Sequence, residues 1–289
     1  MNTAVYDAAV ITDRNLALHV ETGPLYEHLR DRGVVVLRRC LVTLDEFSAF
    51  VKRHSSRLSL DPGRTLSGGV AQLVDAGTDA VGLHCENGNA PIWPDLTWFY
   101  CTLAPRQGSQ TTLCDGAAVL NDLSPTTVQR FSEQRIRYRR TVPGDKWRRI
   151  VCHYLPEVES LEEATFEQLQ AIVGADRNTR MHYAKAQDTV AYAYSVSAIQ
   201  QSSFHGGIAF ANSILGPSFN YEKPVIDFES GEPFDPALLD EVERVTARHT
   251  HIVGWQDGDM VMIDNRRVMH GRQPIVDTSR EIFNALSYR

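Results

Sequence analysis

Residues 255–283 read WQDGDMVMIDNRRVMHGRQPIVDTSREIF, and this run decides how the rest of the chain is read. Asp257-Gly258 is a tight-turn signal, because glycine accepts the positive φ that short turns require. Met260 to Ile263 is an apolar run of strand length, and Asp264-Asn265 breaks it. Beyond the break stand His270 and, ten residues later, Arg280.

Runs of the same character recur along the chain: VVVLR (34–38), LTWFYCTL (96–103), TTLCD (111–115), RIRYRR (135–140), THIVGW (250–255), DMVMID (259–264) and EIFNALSYR (281–289). Most favour β-branched and aromatic residues. Helical patterns are fewer. One is expected at 24–32, stopped by Gly33, and another at 43–55, with Thr43 and Glu46 forming a capping box. A third at 124–134 opens Ser-Pro, and a fourth from Asp235 has an Asp cap followed by Pro. Strands outnumber helices and do not alternate with them, which disfavours Rossmann and TIM arrangements. The pattern predicts a mostly β chain with peripheral helices, a sandwich or barrel. The stretch from about 141 to 233 has little clear periodicity. It reads as an insertion within a single 1–289 domain, and long insertions often serve as lids.

Bulk properties narrow the function. At 289 residues, with 43% hydrophobic and 22% charged content, the chain is of ordinary globular type. A net charge of −7 argues against a nucleic-acid partner, and the arginines at 135, 137, 139 and 140 read as a solvated surface. The five cysteines include no CxxC pair, so reduced thiols and a cytoplasmic location are expected. No signal peptide is visible in MNTAVYDAAVITDRNLAL. The stretch Thr189 to Tyr221 lacks charged residues, but Gln200, Gln201, Ser202, Ser203, His205 and Asn212 interrupt it, so no membrane partner is expected.

Residues 82–89, GLHCENGN, hold a His-x-Glu pair, His84 and Glu86. In a strand, residues i and i+2 share a face, so both side chains would aim at one point. The other such pair, His19-Val20-Glu21, lies in the N-terminal lead-in, and His249-Thr250-His251 has no obvious third ligand. His270 completes the first pair. Two imidazoles and one carboxylate on one octahedral face leave three positions open, a set suited to non-haem Fe(II).

GLHCENG, followed by GSQTTLCDGAAVLNDLSP and then GDMVMIDNRRVMHGRQP…SREIF, resembles the Fe(II)/2-oxoglutarate-dependent oxygenases of the taurine dioxygenase and clavaminate synthase-like superfamily. The resemblance runs from about residue 30 to the C-terminus. It implies a double-stranded β-helix, a distorted cupin-like jelly roll, with His84, Glu86 and His270 as iron ligands. Arg280 falls where the family pairs an arginine with the distal carboxylate of 2-oxoglutarate, and Thr111 where a threonine binds the same group. Arg272 is a second candidate for that carboxylate. Ser109 and Gln110 depart from the family's Gly-acid block. The His-x-Glu variant matches the clavaminate synthase-like branch, which includes amino-acid hydroxylases.

The resemblance thus implies Fe(II), 2-oxoglutarate and O2 as cofactor and cosubstrates. The expected reaction is hydroxylation, desaturation or cyclisation of a small molecule, a free amino acid or an amino-acid-derived natural-product intermediate. Asn87, Asp115, Phe204, His205 and Arg272 are candidates for substrate contacts. Two rival readings are a Zn or Mn metallohydrolase or isomerase on the same triad, and a non-catalytic β-sandwich binding protein. Neither needs Arg280 and Thr111 together, since a carboxylate clamp serves a cosubstrate.

Overall fold

The computed structural model describes residues 5–40, 43–59, 66–67, 69–74, 77–173, 178–216 and 223–289. Each strand-like run of the sequence falls on a strand. The larger sheet runs in the order Ala9–Ile11, Val34–Leu37, Asp259–Asp264, Leu96–Leu103, Glu281–Tyr288, Ala71–Leu73, Leu66–Ser67, and Arg57–Ser59 also pairs with Glu281–Tyr288. A smaller sheet has the order Thr250–Ile252, Thr111–Asp115, Val268–Arg272, Val81–His84. Within these two sheets every strand pairing is antiparallel except that of Ala9–Ile11 with Val34–Leu37.

Alternation along the strands separates two cores. Phe99, Cys101, Val261, Ile263 and Ile282 of the larger sheet pack with Leu113 and Val268 of the smaller one, so the two sheets face each other across this cluster. Leu96, Trp98, Tyr100, Met260, Met262, Phe283 and Ala285 point the other way. Helices Thr22–Arg32 and Leu44–Arg53 cover that outer face with Leu25, Leu29, Phe47, Phe50 and Val51. Full burial of each large apolar side chain there is worth about 1.5–3 kcal/mol. The expected caps form: the Thr43 hydroxyl accepts from the Glu46 amide, and Gly33 takes φ 71° at the end of the preceding helix.

The stretch from 141 to 233 is more regular than its sequence reads. Ile136–Pro143, Thr179–Ala184, Thr189–Val196 and Val225–Phe228 form a third, antiparallel sheet. Helices Gly144–Tyr154 and Phe166–Val173 bury Trp147, Val151, Leu169 and Val173 with Val190 in a small core of their own. The alternation is present in TVAYAYSV, where Tyr194 and Val196 enter the core, but alanines on the other face weaken its contrast. Among the described residues no helix is long and apolar enough to cross a membrane.

Candidate active site

His270 is the central residue of Val268–Arg272 and lies opposite Leu113 on one neighbouring strand and His84 on the other. Opposed residues share a face, so His84 and His270 join Leu113 on the side turned towards the larger sheet. The strand Val81–His84 ends at His84, so Glu86 arrives by a different route from the one its spacing suggests. A turn, with Asn87 at φ 56°, brings its carboxylate round rather than strand alternation. Cys85 between them packs away from the site, in the cluster with Cys114 and Met269.

The three side chains converge, with one ligand atom from each lying within 4.8 Å of the others. Glu86 Oε2 is 3.2 Å from His270 Nε2 and 3.8 Å from His84 Nε2. The His84 Nδ1 stands 2.9 Å from the Gly82 carbonyl, which places the proton on Nδ1 and leaves the Nε2 lone pair for a metal. Burial by itself would push the Glu86 carboxyl up, but the adjacent His270 and His84 imidazoles hold it well below the usual carboxylate range. The His270 imidazole is depressed by burial and by the second imidazole beside it, against the pull of Glu86. Both shifts favour a carboxylate and a neutral imidazole, the forms that bind metal. Close packing fixes the strands: a Cβ on Gly271 would lie 2.5 Å from the Val81 carbonyl oxygen.

Two residues that the sequence reading passed over support the site. Asn265 appeared there only as a strand breaker. It is fully buried, its Nδ2 donates to the carbonyls of Glu86 and Pro94, each at 2.9 Å, and its Oδ1 accepts from the Glu86 amide at 2.8 Å. This clamp holds the turn that carries Glu86. Trp255 donates through Nε1 to Thr111 Oγ1 at 3.1 Å, leaving the threonine proton free to be donated elsewhere.

Thr111 lies directly opposite Arg272. The Arg272 Nη2 donates to the carbonyls of Gly77 and Asp79. Arg280 is buried; its Nη2 donates to the Val74 carbonyl at 3.1 Å, and its Nε has no partner. Burial, then the Arg272 charge, lowers its pKa to about 10. A guanidinium buried beside a second cation, with a donor unused, is a place for an anion.

The remaining candidates lie as follows. Asp115 is held by a two-point contact with Arg267, at 3.0 and 2.7 Å, and its Oδ1 caps the helix Gly116–Asp122. Phe204 packs edge-on against Tyr26 at 4.9 Å, and His205 is exposed. His19 ends one short helix, and Glu21 immediately precedes the next without a side-chain capping bond. His249 pairs with Asp122, and His251 lies against Tyr6. Among the described residues, His84, Glu86 and His270 form the one cluster able to hold a metal ion. Two nitrogens and one oxygen on one side, with no thiolate, fit Fe(II).

Comparison with known proteins points the same way. The family model described as taurine catabolism dioxygenase TauD, TfdA family, matches residues 12–286. A clavaminate synthase-like protein of Arabidopsis thaliana is 22% identical over 70% of this chain, and the chain spans 63% of that relative's length. The dapdiamide synthesis protein DdaC of Enterobacter agglomerans is 21% identical, over 87% of this chain and 81% of its own. A solved structure of PvcB, described as an Fe, alpha-ketoglutarate-dependent oxygenase from an isonitrile synthetic pathway, superposes with a TM-score of 0.58 at 12% identity. That match covers 96% of this chain and 82% of PvcB, and it shows a shared fold.

Proposed function

Because the chain belongs to the taurine catabolism dioxygenase TauD/TfdA family, we propose that it is an Fe(II)- and 2-oxoglutarate-dependent oxygenase of small-molecule metabolism. Its substrate is a free amino acid or an amino-acid-derived natural-product intermediate, hydroxylated at an unactivated C–H. Relatives assigned to dapdiamide and isonitrile synthesis support that class. The observation that carries the reading is the convergence of His84, Glu86 and His270 in a fold that also buries Arg280 with an unused donor. The two facing sheets are read as the halves of a jelly roll.

Iron(II), bound together with 2-oxoglutarate and O2, would supply the oxidising power that a C–H bond requires, with succinate and CO2 as co-products. The protein's own residues do the rest. His84 and His270 offer neutral imidazole nitrogens, and Glu86 an anionic oxygen. The Gly82 carbonyl fixes one ring and Asn265 fixes the turn, so the ligands are oriented before metal arrives. Arg280 and the Thr111 hydroxyl would grip the distal carboxylate of 2-oxoglutarate, with Arg272 adding positive charge beside them. The layer formed by the third sheet and the helices Gly144–Tyr154 and Phe166–Val173 serves as wall and lid. Arg140 reaches Asn89 beside the metal turn, and the Ser213 hydroxyl donates to the Cys85 carbonyl at 3.0 Å.

The test is an anaerobic titration of the apo-protein with Fe(II) and 2-oxoglutarate, following the weak visible absorption of the chelate. The expected band disappears in His84→Ala and requires much more 2-oxoglutarate in Arg280→Ala. An iron-loaded wild type that gives no band with 2-oxoglutarate would sink the proposal.

A further inference from the structure

The interior face of the larger sheet carries a polar patch that the residues assigned above leave unused. Asn284 lies directly opposite Phe99 on one neighbouring strand and Gln72 on the other. The Phe99 ring meets the His270 ring edge-on, with centroids 5.2 Å apart. In a parallel row, Thr97 is opposite Leu286, and Leu286 opposite Ser59. Opposed residues share a face, so Ser59, Gln72, Thr97 and Asn284 look the same way as Phe99 and Ile282, towards the sheet that carries the histidines.

All four are buried. The Thr97 and Ser59 hydroxyls and the Asn284 carbonyl oxygen nevertheless have no hydrogen-bond partner. Single unpartnered buried groups occur elsewhere, as at Ser48 and Trp147, but here three lie on one face of one sheet, and other buried polar side chains of the fold are engaged. Asn265 makes three hydrogen bonds, Asn212 donates to Ala198 and accepts from Ile214, and Ser213 donates to Cys85. A buried amide without a partner is costly, and such exceptions mark places where a ligand supplies the missing group.

We propose that this patch is the substrate's docking wall, and that Asn284 reads a neutral carboxamide or peptide group rather than a carboxylate or sulfonate. The inference rests on the oxygenase reading and names its substrate class more narrowly. An amide side chain offers an acceptor and two donors, so its natural complement is another amide, which returns one of each. The four residues of the wall carry no charge, and an anionic group set against them would lose its hydration without gaining a cation. The arginine nearest along the strand, Arg280, is already assigned to the cosubstrate. Thr97, one row away, can donate or accept as a second contact. The substrate would then lie along the Phe99 side of His270, with its polar end on the wall and a C–H facing the metal position.

The test uses the Fe(II)- and 2-oxoglutarate-loaded protein under anaerobic conditions, where binding is read from perturbation of the visible band without turnover. The probes are matched pairs: amino-acid amides and short peptide amides against the same compounds as free acids. Wild type is expected to bind the better amide at least tenfold more tightly than its acid. Asn284→Leu, which keeps the side chain's size, should lose that preference, and Asn284→Asp, which keeps its shape but can only accept, should fall between. In both variants the 2-oxoglutarate titration itself should match wild type. Equal binding of amide and acid by wild type, or an unchanged ratio in both variants, would overturn the inference while leaving the oxygenase reading intact. Absence of the band in wild type would instead overturn that reading, and this inference with it.

Discussion

Arg267 and Arg280 are buried to almost the same degree, 7% and 8% exposed, yet their surroundings are opposite. Arg267 is met by the Asp115 carboxylate in two-point contact and donates to the Arg30 carbonyl as well. Although burial disfavours its charge, the hydrogen bond and charge of Asp115 raise its pKa. Arg280 has one carbonyl and a neighbouring cation, and its pKa falls to about 10. It remains charged at neutral pH. The first arginine is satisfied by the fold, whereas the second is held at a cost that an anionic ligand would offset.

Methionine substitutions should separate the two most clearly. Arg267→Met leaves Asp115 without its partner and is expected to destabilise the apo-protein by about 3–5 kcal/mol, with 2-oxoglutarate affinity unchanged in whatever folds. Arg280→Met removes an unpaired charge and should leave apo stability equal or higher. It should weaken 2-oxoglutarate binding about a hundredfold, the loss of a two-point charged contact. Chemical denaturation and the anaerobic titration read the two quantities. If Arg280→Met destabilised the apo-protein as much as Arg267→Met, the contrast between them would be broken.

A similar contrast sets Asn284 on the inner face of the larger sheet against Ser287 on its helix-covered face, and pH can sharpen it. The Ser287 hydroxyl accepts from Trp98 Nε1 at 2.8 Å and donates to the Ser55 hydroxyl at 2.8 Å, whose own proton goes to the Val51 carbonyl. His54, beside them, has Nδ1 at 2.8 Å from Thr22 Oγ1 and receives a hydrogen bond from Arg53 at Nε2, which makes it a neutral ring with its proton on Nδ1. Burial, followed by the Arg53 charge, lowers its pKa from 6.5 to about 4. The folded state therefore binds fewer protons than the unfolded state between these values. His54's contribution is fully present above pH 6.5 and is lost as pH falls towards 4, roughly 3 kcal/mol in all. Denaturant midpoints of the apo-protein should fall across that window, and His54→Gln should flatten the slope. An equally steep slope in the variant would place the acid sensitivity elsewhere.

What the sequence could reveal follows from the same division. Strands that are apolar on both faces, such as Leu96–Leu103 and Asp259–Asp264, were legible because the cores on either side of the sheet both demand apolar side chains. The metal set was legible because ligand chemistry restricts residue type, and His270 could be joined to His84 across 186 positions only through the resemblance. Asn265 and Trp255 were not legible. Their roles depend on hydrogen bonds to residues more than a hundred positions away, and neither lies in a periodic pattern. Asp115 looked like a free acid because its partner, Arg267, is reached only through strand pairing. The hairpin at 179–196 was hidden by alanines, which fit either face.

The smallest expected effect concerns Asn87, where sequence and structure offer different roles. Its place after the metal pair makes it a candidate for substrate contact. Its φ of 56° offers a simpler account, since asparagine is among the few non-glycine residues that accept left-handed geometry readily. The turn it supports is closed by hydrogen bonds from Gly88 to the Cys85 carbonyl and from Ala90 to its own carbonyl, neither of which uses the side chain. Asn87→Gly keeps that geometry and removes only the amide. A residue serving the turn alone predicts stability within about 0.5 kcal/mol of wild type and affinities within about twofold. A tenfold loss of substrate affinity with 2-oxoglutarate binding unchanged would instead place the Asn87 amide in the substrate pocket. The polar wall at Asn284 would then have a counterpart on the metal turn, so that the substrate is held from both sheets.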